Sequence, residues 1–393
     1  MWFPPTRLRI YLELLTFVSG LLFWISTLHL SLEKNQGNIP VQTVDWDRKQ
    51  TSLKHRPVTS TNTYSSENKP QRSQILLVTH GRSGSTYTSA IISAHPEVFF
   101  LFEPLLLYED DRWPPKLPLY RQNDMKEESL QKVKEMLNCQ FTNGSLVERS
   151  LTVTTLAQVF QEFSACRKYK ETQGADERVC FEMLRIPCQK SHVTLVKTIR
   201  IPLPWTLNMI EENPNLKVIY LVRDPRAVIL SQMLRLRNRG NLTLEQSLDI
   251  FCPRLQEDVQ AARELLSRFP KRFKIVRYET GVMSPDHFAK ELLDFADLSF
   301  TEEVETRVRA LNGNSSGFSL MGGPVARGGP IKEMNKWRYK NGRPTVERID
   351  KSCGDVYGAF GYKPLLPTMD LSSQESLLSD SGAGTLFDSE SFT

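Results

Sequence analysis

Residues 75–104 read ILLVTHGRSGSTYTSAIISAHPEVFFLFEP, and this stretch decides the fold class of the chain. It opens with an uninterrupted apolar run at residues 75–78, of the kind that forms a buried parallel strand. A glycine-containing turn follows at residues 80–84, and apolar residues then recur at helical spacing from Tyr87 onward. A second apolar strand is expected at residues 98–102. The stretch therefore predicts a strand, a loop, a helix and a second strand, which is typical of an α/β domain.

The loop in this stretch has the composition of an anion site. Where a strand runs through a glycine-containing loop into a helix, backbone N–H groups point outward and the helix dipole favours negative charge. Arg82 adds a fixed cation, and Ser83, Ser85 and Thr86 add hydroxyl donors. The loop suits a phosphate or a sulfate, but it is not a Walker loop, because the spacing and the lysine of that motif are missing. An ordinary strand–turn–helix connection would also accept glycine and serine.

A second strand–turn–helix unit follows further along the chain. Residues 217–222, KVIYLV, predict a strand, and a helix is expected to follow it. Asp224 is a suitable N-cap, with Pro225 at the first helical position. Arg223 and Arg226 place two cations beside the start of this helix. The alternative is that these arginines form surface salt bridges.

Three other segments bear on the architecture. Residues 193–197 and 273–277 predict further strands. Residues 321–345 are rich in glycine and basic residues, which fits either a loop that folds over an anion or a solvated surface loop.

Charge is distributed unevenly along the chain. The formal net charge is +5, yet residues 1–363 carry +10, because five acidic residues and no lysine or arginine follow residue 363. A moderately basic body suits an anionic ligand or a polyanionic glycan. Nucleic acid is not expected as a partner, since no basic helix, zinc spacing or aromatic RNA-binding signature is present. The serine-rich acidic tail, residues 364–393, is predicted to be disordered.

The N-terminal part of the chain predicts a membrane anchor. Residues 1–9 are expected to be a cytosolic tail and residues 10–32 a transmembrane signal-anchor, with 19 uncharged residues from position 14 to 32. Positive charge before the span and little after it predicts a type II orientation with a luminal C-terminus. Residues 33–72 are polar and aperiodic, as in a flexible stem. A cleaved signal peptide is the alternative.

All six cysteines lie beyond the predicted span, at positions 139, 166, 180, 188, 252 and 353. An even number in an oxidising compartment is consistent with disulfides. Fifteen pairings are possible, and among them Cys180–Cys188 could close a local loop. No cysteine or histidine spacing indicates a metal site. Acceptor sequences for N-glycosylation at Asn143, Asn241 and Asn314 support a luminal setting weakly.

Taken together, these segments resemble the Golgi carbohydrate 6-O-sulfotransferases, which sulfate galactose, N-acetylglucosamine or N-acetylgalactosamine. The resemblance covers residues 73–363 and the layout that precedes them. It implies a single P-loop-like α/β sulfotransferase domain with a central, mostly parallel sheet, and PAPS (3′-phosphoadenosine 5′-phosphosulfate) as co-substrate without a metal. It assigns the 5′-phosphosulfate loop to six residues: Gly81, Arg82, Ser83, Gly84, Ser85 and Thr86. Arg223 and Ser231 are the implied 3′-phosphate ligands, and Glu103 in the sequence LFEP is the implied catalytic carboxylate.

The implied chemistry is consistent with these residues. Sulfuryl transfer, like phosphoryl transfer, depends mainly on positioning and charge stabilisation. Arg82 and the loop N–H groups would stabilise the departing phosphate, and Glu103 would accept the proton of the attacking sugar hydroxyl. A nucleotide kinase is disfavoured by the missing lysine. A tyrosylprotein sulfotransferase and a catalytically silent glycan-binding protein remain alternatives, and self-association, the sulfated sugar and the disulfide pairing are left open.

Overall fold

The computed structural model describes residues 72–105, 126–142, 157–174, 176–236, 243–313, 329–372, 377–379 and 385–387. The predicted cytosolic tail, the span at residues 10–32 and the stem up to residue 71 lie outside the described residues. Within the described ranges, no helix has the length and apolar character needed to cross a bilayer.

A five-stranded sheet forms the centre of the domain. Its strands are β1 (Ser73–Thr79), β2 (Val98–Phe102), β3 (Val193–Thr198), β4 (Leu216–Val222) and β5 (Phe273–Arg277). They lie in the order β2-β3-β1-β4-β5, and every pair is parallel. The sequence prediction of a central parallel sheet is thus confirmed. Each strand is a short apolar run because both of its faces are buried.

Helices cover the two faces of the sheet. Their bounds are α1 Ser85–Ile92, α2 Lys126–Leu137, α3 Ala157–Thr172, α4 Glu182–Lys190, α5 Thr206–Glu212, α6 Pro225–Leu236, α7 Leu244–Arg268, α8 Tyr278–Met283, α9 Pro285–Phe295, α10 Glu302–Asn312, α11 Gly329–Lys340, α12 Arg343–Cys353 and α13 Tyr357–Phe360. Alternate residues of each strand point to opposite faces. Leu76 and Val78 accordingly belong to one hydrophobic cluster, and Ile75 and Leu77 to the other.

The strand order brings the two predicted anion loops side by side. β1 and β4 pair directly, with Val78 opposite Tyr220. From β1 the chain crosses toward β2 at one edge, and from β4 it crosses toward β5 at the other edge. Such a reversal leaves a crevice at the carboxyl ends of the two strands, which is where α/β sheets bind ligands.

Two sequence predictions about the C-terminal third are wrong. Part of the basic segment at residues 321–345 is helical rather than a loop, since α11 begins at Gly329. The chain beyond residue 363 is not disordered in its described parts, because it packs onto the core. Tyr362 forms an antiparallel bridge with Leu378, and the Leu386 N–H donates to the Ala359 carbonyl at 2.9 Å. The buried apolar residues in the described parts of this tail are Leu365, Met369, Leu377, Leu378 and Leu386. These apolar residues are few among the serines of the tail, so the average composition did not predict that they would be buried.

All six cysteines form disulfides: Cys139–Cys188, Cys166–Cys180 and Cys252–Cys353. The local pair Cys180–Cys188 suggested by the sequence is wrong. Helix α4 occupies the segment between these two residues, and a helix rises by about 1.5 Å per residue. The two cysteines are therefore held too far apart along the helix for a disulfide.

Candidate functional site

Each strand of the sheet ends in a residue with a polar or charged side chain at the same edge. His80 follows β1, Glu103 follows β2, Lys197 lies near the end of β3, Arg223 follows β4 and Tyr278 follows β5. Because all strands are parallel, these five positions lie along one edge of the sheet. The candidate site is built from this edge.

The loop after β1 holds two residues in the left-handed region. Arg82 has φ 74° and Gly84 has φ 89°, and α1 begins directly after Gly84. The side chains of Ser83 and Ser85 are buried, whereas Arg82 is exposed. The predicted cation therefore faces outward, while two of the three predicted hydroxyls lie inside the loop.

The two predicted anion loops touch each other. Arg82 donates from Nε to Ser231 Oγ at 3.0 Å, which joins the first loop to helix α6. Arg223 donates from Nη1 to the Arg82 carbonyl at 2.9 Å. Gln232 donates to the Gly81 carbonyl at 2.8 Å. Residues that are 141 to 151 positions apart in sequence thus form one continuous surface at the β1–β4 crevice.

The guanidinium of Arg223 is held in a fixed orientation. It stacks over the Tyr278 ring at 4.6 Å, and its Nη2 donates to the Glu333 carbonyl of α11 at 2.7 Å. Its Nε is buried and has no hydrogen-bond partner among the described residues. A buried cationic N–H without a partner is costly, and an anion would satisfy it.

Arg226, the second arginine after β4, has a structural role. Its side chain is fully buried and donates to Asp224 from Nε at 2.8 Å and from Nη2 at 2.9 Å. The guanidinium also lies over the rings of Trp337 and Tyr357. Although burial lowers the pKa of Arg226, the Asp224 carboxylate outweighs that effect and the net pKa is raised. Arg226 therefore fixes the helix start that Asp224 caps, and its charge is paired with a carboxylate of the protein rather than with a ligand.

Glu103 lies between two cations. Its backbone has φ 47°, and its side chain is buried and forms ion pairs with Lys197 and Arg200. Lys197 Nζ also lies 4.3 Å from the centre of the Phe102 ring. One carboxylate shared by two cations does not offset the burial of both. Burial and the charge of Arg82 lower the pKa of Lys197 to about 7, and burial lowers the pKa of Arg200 to about 9.

Sequence reasoning gave Lys197 and Arg200 no role, although both follow the apolar run of β3. The signal was their position: a lysine inside a buried strand needs a partner, because an unpaired buried charge is costly. One further buried group at this edge, Glu279, was also given no role. Glu279 accepts from the Asp224 N–H at 3.0 Å and from the Tyr362 hydroxyl at 2.8 Å. Burial, followed by the Asp224 charge, raises the pKa of Glu279.

Comparisons with known proteins place this geometry in context. A model described as "Sulfotransferase family" matches residues 74–302. Carbohydrate sulfotransferase 1 of Danio rerio is 25% identical over 361 residues, covering 81% of this chain and 84% of the relative. Carbohydrate sulfotransferase 3 of Mus musculus is 25% identical over 360 residues, covering 79% of this chain and 72% of the relative. Among solved structures, a sulfotransferase domain from the curacin biosynthetic pathway aligns with 22% identity and a TM-score of 0.40, covering 72% of this chain and 98% of that one. At that score the alignment adds nothing to the fold described above.

Proposed function

Because this chain belongs to the sulfotransferase family, we propose that it transfers the sulfuryl group of PAPS to a sugar 6-hydroxyl. The acceptor would be galactose, N-acetylglucosamine or N-acetylgalactosamine in the glycan of a glycoprotein or proteoglycan. The carbohydrate acceptor is supported by the relatives, several of which are named carbohydrate sulfotransferases. The basic body of the chain suits both an anionic donor and a polyanionic glycan.

The observation that carries this proposal is the contact between the two anion loops. PAPS carries a 5′-phosphosulfate and a 3′-phosphate on one ribose, so its two anionic ends require two cationic loops within a nucleotide's reach. The Arg82–Ser231 hydrogen bond at 3.0 Å and the Arg223 bond to the Arg82 carbonyl at 2.9 Å support such an arrangement, because they bring the two loops into contact. The unpartnered Nε of Arg223 supports its role as a ligand of the 3′-phosphate, with Ser231 beside it.

The 5′-phosphosulfate is assigned to the loop Gly81-Arg82-Ser83-Gly84-Ser85-Thr86. The N-terminus of α1 and the Arg82 cation would stabilise charge that grows on the bridging and departing phosphate oxygens. The left-handed conformations of Arg82 and Gly84 set the path of this loop before the donor binds.

Glu103 is proposed as the proton acceptor for the attacking hydroxyl. Its carboxylate forms ion pairs with Lys197 and Arg200, and it lies at the sheet edge that carries the donor loop. The same ion pairs also support a purely structural role, in which Glu103 neutralises two buried cations. The two roles differ in the kcat that a folded Glu103→Gln variant would retain.

A luminal Golgi setting with a type II anchor at residues 10–32 completes the proposal. It is supported by the uncharged run at residues 14–32 and by the three disulfides, which are typical of oxidising compartments. Increased gel mobility after peptide-N-glycosidase treatment of the expressed protein is the expected result for a luminal body.

The test of the function is transfer of labelled sulfate from PAPS to a panel of glycan acceptors, with a tyrosine-containing acidic peptide as comparison. Transfer to a sugar 6-hydroxyl is expected. Transfer to the peptide alone would favour a tyrosylprotein sulfotransferase, and glycan binding without any transfer would favour a silent binding protein. In parallel, calorimetry with PAP, the desulfated product, should show that Arg223→Ala raises Kd at least about tenfold, since charge-assisted hydrogen bonds contribute about 1.5–3 kcal/mol each. Unchanged affinity would move the 3′-phosphate site elsewhere.

A further inference from the structure

A buried carboxylate beneath the donor loop has no part in the chemistry described so far. Asp258 lies in the middle of α7 and its side chain is 1% exposed. Its Oδ2 accepts hydrogen bonds from His80 Nε2 and from the Tyr220 hydroxyl, each at 2.8 Å. Its Oδ1 accepts from the Leu203 N–H at 3.2 Å. One carboxylate thus joins three separate segments to one helix.

His80 is the residue of this group that adjoins the proposed 5′-phosphosulfate loop. It is the first residue after β1 and directly precedes Gly81 and Arg82. Its ring is buried and packs edge-on against Phe251 of α7 at 4.8 Å. Its carbonyl accepts from the Ser83 N–H at 3.3 Å. A displacement of the His80 ring would therefore move the start of the donor loop relative to the sheet.

The charges around His80 fix its hydrogen-bonding state. Burial and the nearby Arg254 cation lower the pKa of His80, and Asp258 opposes this only in part. Although burial raises the pKa of Asp258, the hydrogen bond from His80, the Arg254 charge and the Tyr220 hydroxyl outweigh that effect, and the net pKa is lowered. At neutral pH a neutral imidazole thus donates from Nε2 to an ionised carboxylate. Such a charge-assisted bond is stronger than one between neutral groups, and it is directional.

Given the proposed use of PAPS, we propose that Asp258 is a positioning residue that acts through His80 to hold the 5′-phosphosulfate loop in its binding conformation. The helix α7 supplies a rigid base, and His80 transmits its position to the loop two residues before the Arg82 cation. The Leu203 N–H, from the segment after β3, holds the other oxygen of the same carboxylate, so that Asp258 keeps its orientation when either bond to Oδ2 is removed.

The test compares two substitutions that each remove one bond to the same oxygen. His80→Leu removes the donor on the loop, and Tyr220→Phe removes the donor on β4. Both bonds are 2.8 Å long and both donors are buried, so the two changes should lower the free energy of unfolding to a similar extent. Only His80→Leu should loosen the loop. We expect it to raise the Kd of PAP at least about tenfold, while Tyr220→Phe stays within about twofold of wild type.

A conservative variant tests whether the hydrogen bond to Asp258 is enough to hold the loop, or whether the imidazole ring itself is required. His80→Gln retains an N–H donor that can reach Asp258, and it is expected to restore PAP affinity to within about threefold of wild type. If His80→Leu does not fold, Asp258→Asn serves in its place, because it keeps the shape of the side chain and removes its charge; a PAP affinity weaker than that of Tyr220→Phe is then expected. In turnover assays, the KM for PAPS should rise more than the KM for the glycan.

The outcomes separate this inference from the function on which it rests. If wild-type protein fails to bind PAP, the proposed donor is wrong and the inference fails with it. If wild type binds PAP and His80→Leu binds it equally well, the function stands and the positioning role is refuted. Equal loss of affinity in His80→Leu and Tyr220→Phe would also refute it, because the effect would then follow stability alone.

Discussion

Substitution of Gly84 by alanine tests the packing between the donor loop and the strand end that carries Tyr278. Gly84 has φ 89°, and a Cβ placed on it would lie 2.1 Å from Tyr278 Cδ2 and 2.4 Å from Cε2. Carbon atoms do not approach so closely, so the ring or the loop must move. The ring also supports the Arg223 guanidinium at 4.6 Å. Gly84→Ala should therefore disturb both proposed phosphate sites together.

The magnitude follows from two terms. An alanine held in the left-handed region costs about 1–2 kcal/mol. Forcing an extra methyl group against a packed ring costs about 1–3 kcal/mol. The sum is about 2–5 kcal/mol of unfolding free energy, which corresponds to a decrease in Tm of about 3–8 °C for a domain of about 290 residues. Displacement of Arg223 should also raise the Kd of PAP at least about tenfold.

Gly174→Ala is the matched control, because Gly174 has φ 63° and no atom of the described residues lies within 4 Å of an added Cβ. It carries the backbone cost without the clash, so the difference between the two variants measures the steric term. The assays are thermal unfolding and calorimetry with PAP. If Gly84→Ala melts within about 1 °C of Gly174→Ala and binds PAP within about twofold of wild type, the close packing of Gly84 on Tyr278 is refuted.

Two further predictions concern Glu103 and His80. Glu103→Gln should lower Tm in either role, because it removes the partner of two buried cations. If Glu103 is the base, kcat per folded protein should also fall by about 10²–10⁴ with PAP affinity near wild type. A folded variant that turns over within a few-fold of wild type would exclude that role and favour the structural one. For His80, burial lowers the pKa below the usual 6.5, so the folded state binds this proton less tightly than the unfolded chain. Its contribution to stability is therefore complete above pH 6.5 and is lost as the pH falls through the lowered folded pKa. Denaturant unfolding at several pH values between about 7.5 and 5 should show a smaller loss of unfolding free energy for His80→Gln than for wild type. If the unfolding free energy of the two proteins falls equally with pH, the lowered pKa of His80 is contradicted.

The sequence predicted the parts of the fold that depend on local pattern. The strand at residues 98–102 was predicted with its observed bounds, and Asp224 accepts the Arg226 N–H at 2.9 Å as expected of an N-cap. The resemblance to carbohydrate sulfotransferases is confirmed by the family match and by the named relatives. Apolar runs, capping residues and loop motifs are encoded by neighbours in sequence, so they can be identified without a structure.

The remainder of the site depends on contacts between distant residues. The pairing of Glu103 with Lys197 joins positions 94 residues apart, and the Asp258–His80 bond joins positions 178 residues apart. Nothing local distinguishes Asp258 from the exposed acidic residues of the same helix, since its burial depends on which helix face meets the sheet. Arg223 lies at the candidate site and Arg226 is buried in a structural ion pair. This difference likewise depends on aromatic residues contributed by α8, α11 and α13.

The backbone conformations of the two proposed catalytic residues connect the fold to the chemistry. Arg82 and Glu103 are two of the four non-glycine residues with positive φ in the described part of the chain. Such conformations cost about 1–3 kcal/mol each and persist only where surrounding contacts enforce them. At Arg82 the carbonyl is held by Arg223 at 2.9 Å, and at Glu103 the N–H donates to the Lys197 carbonyl at 2.8 Å, one residue beyond the end of β2. Each strained residue is therefore tied to the neighbouring strand end through its own backbone, so that its side chain is aimed before any substrate arrives. The parallel sheet provides the rigid support that such preorganisation requires.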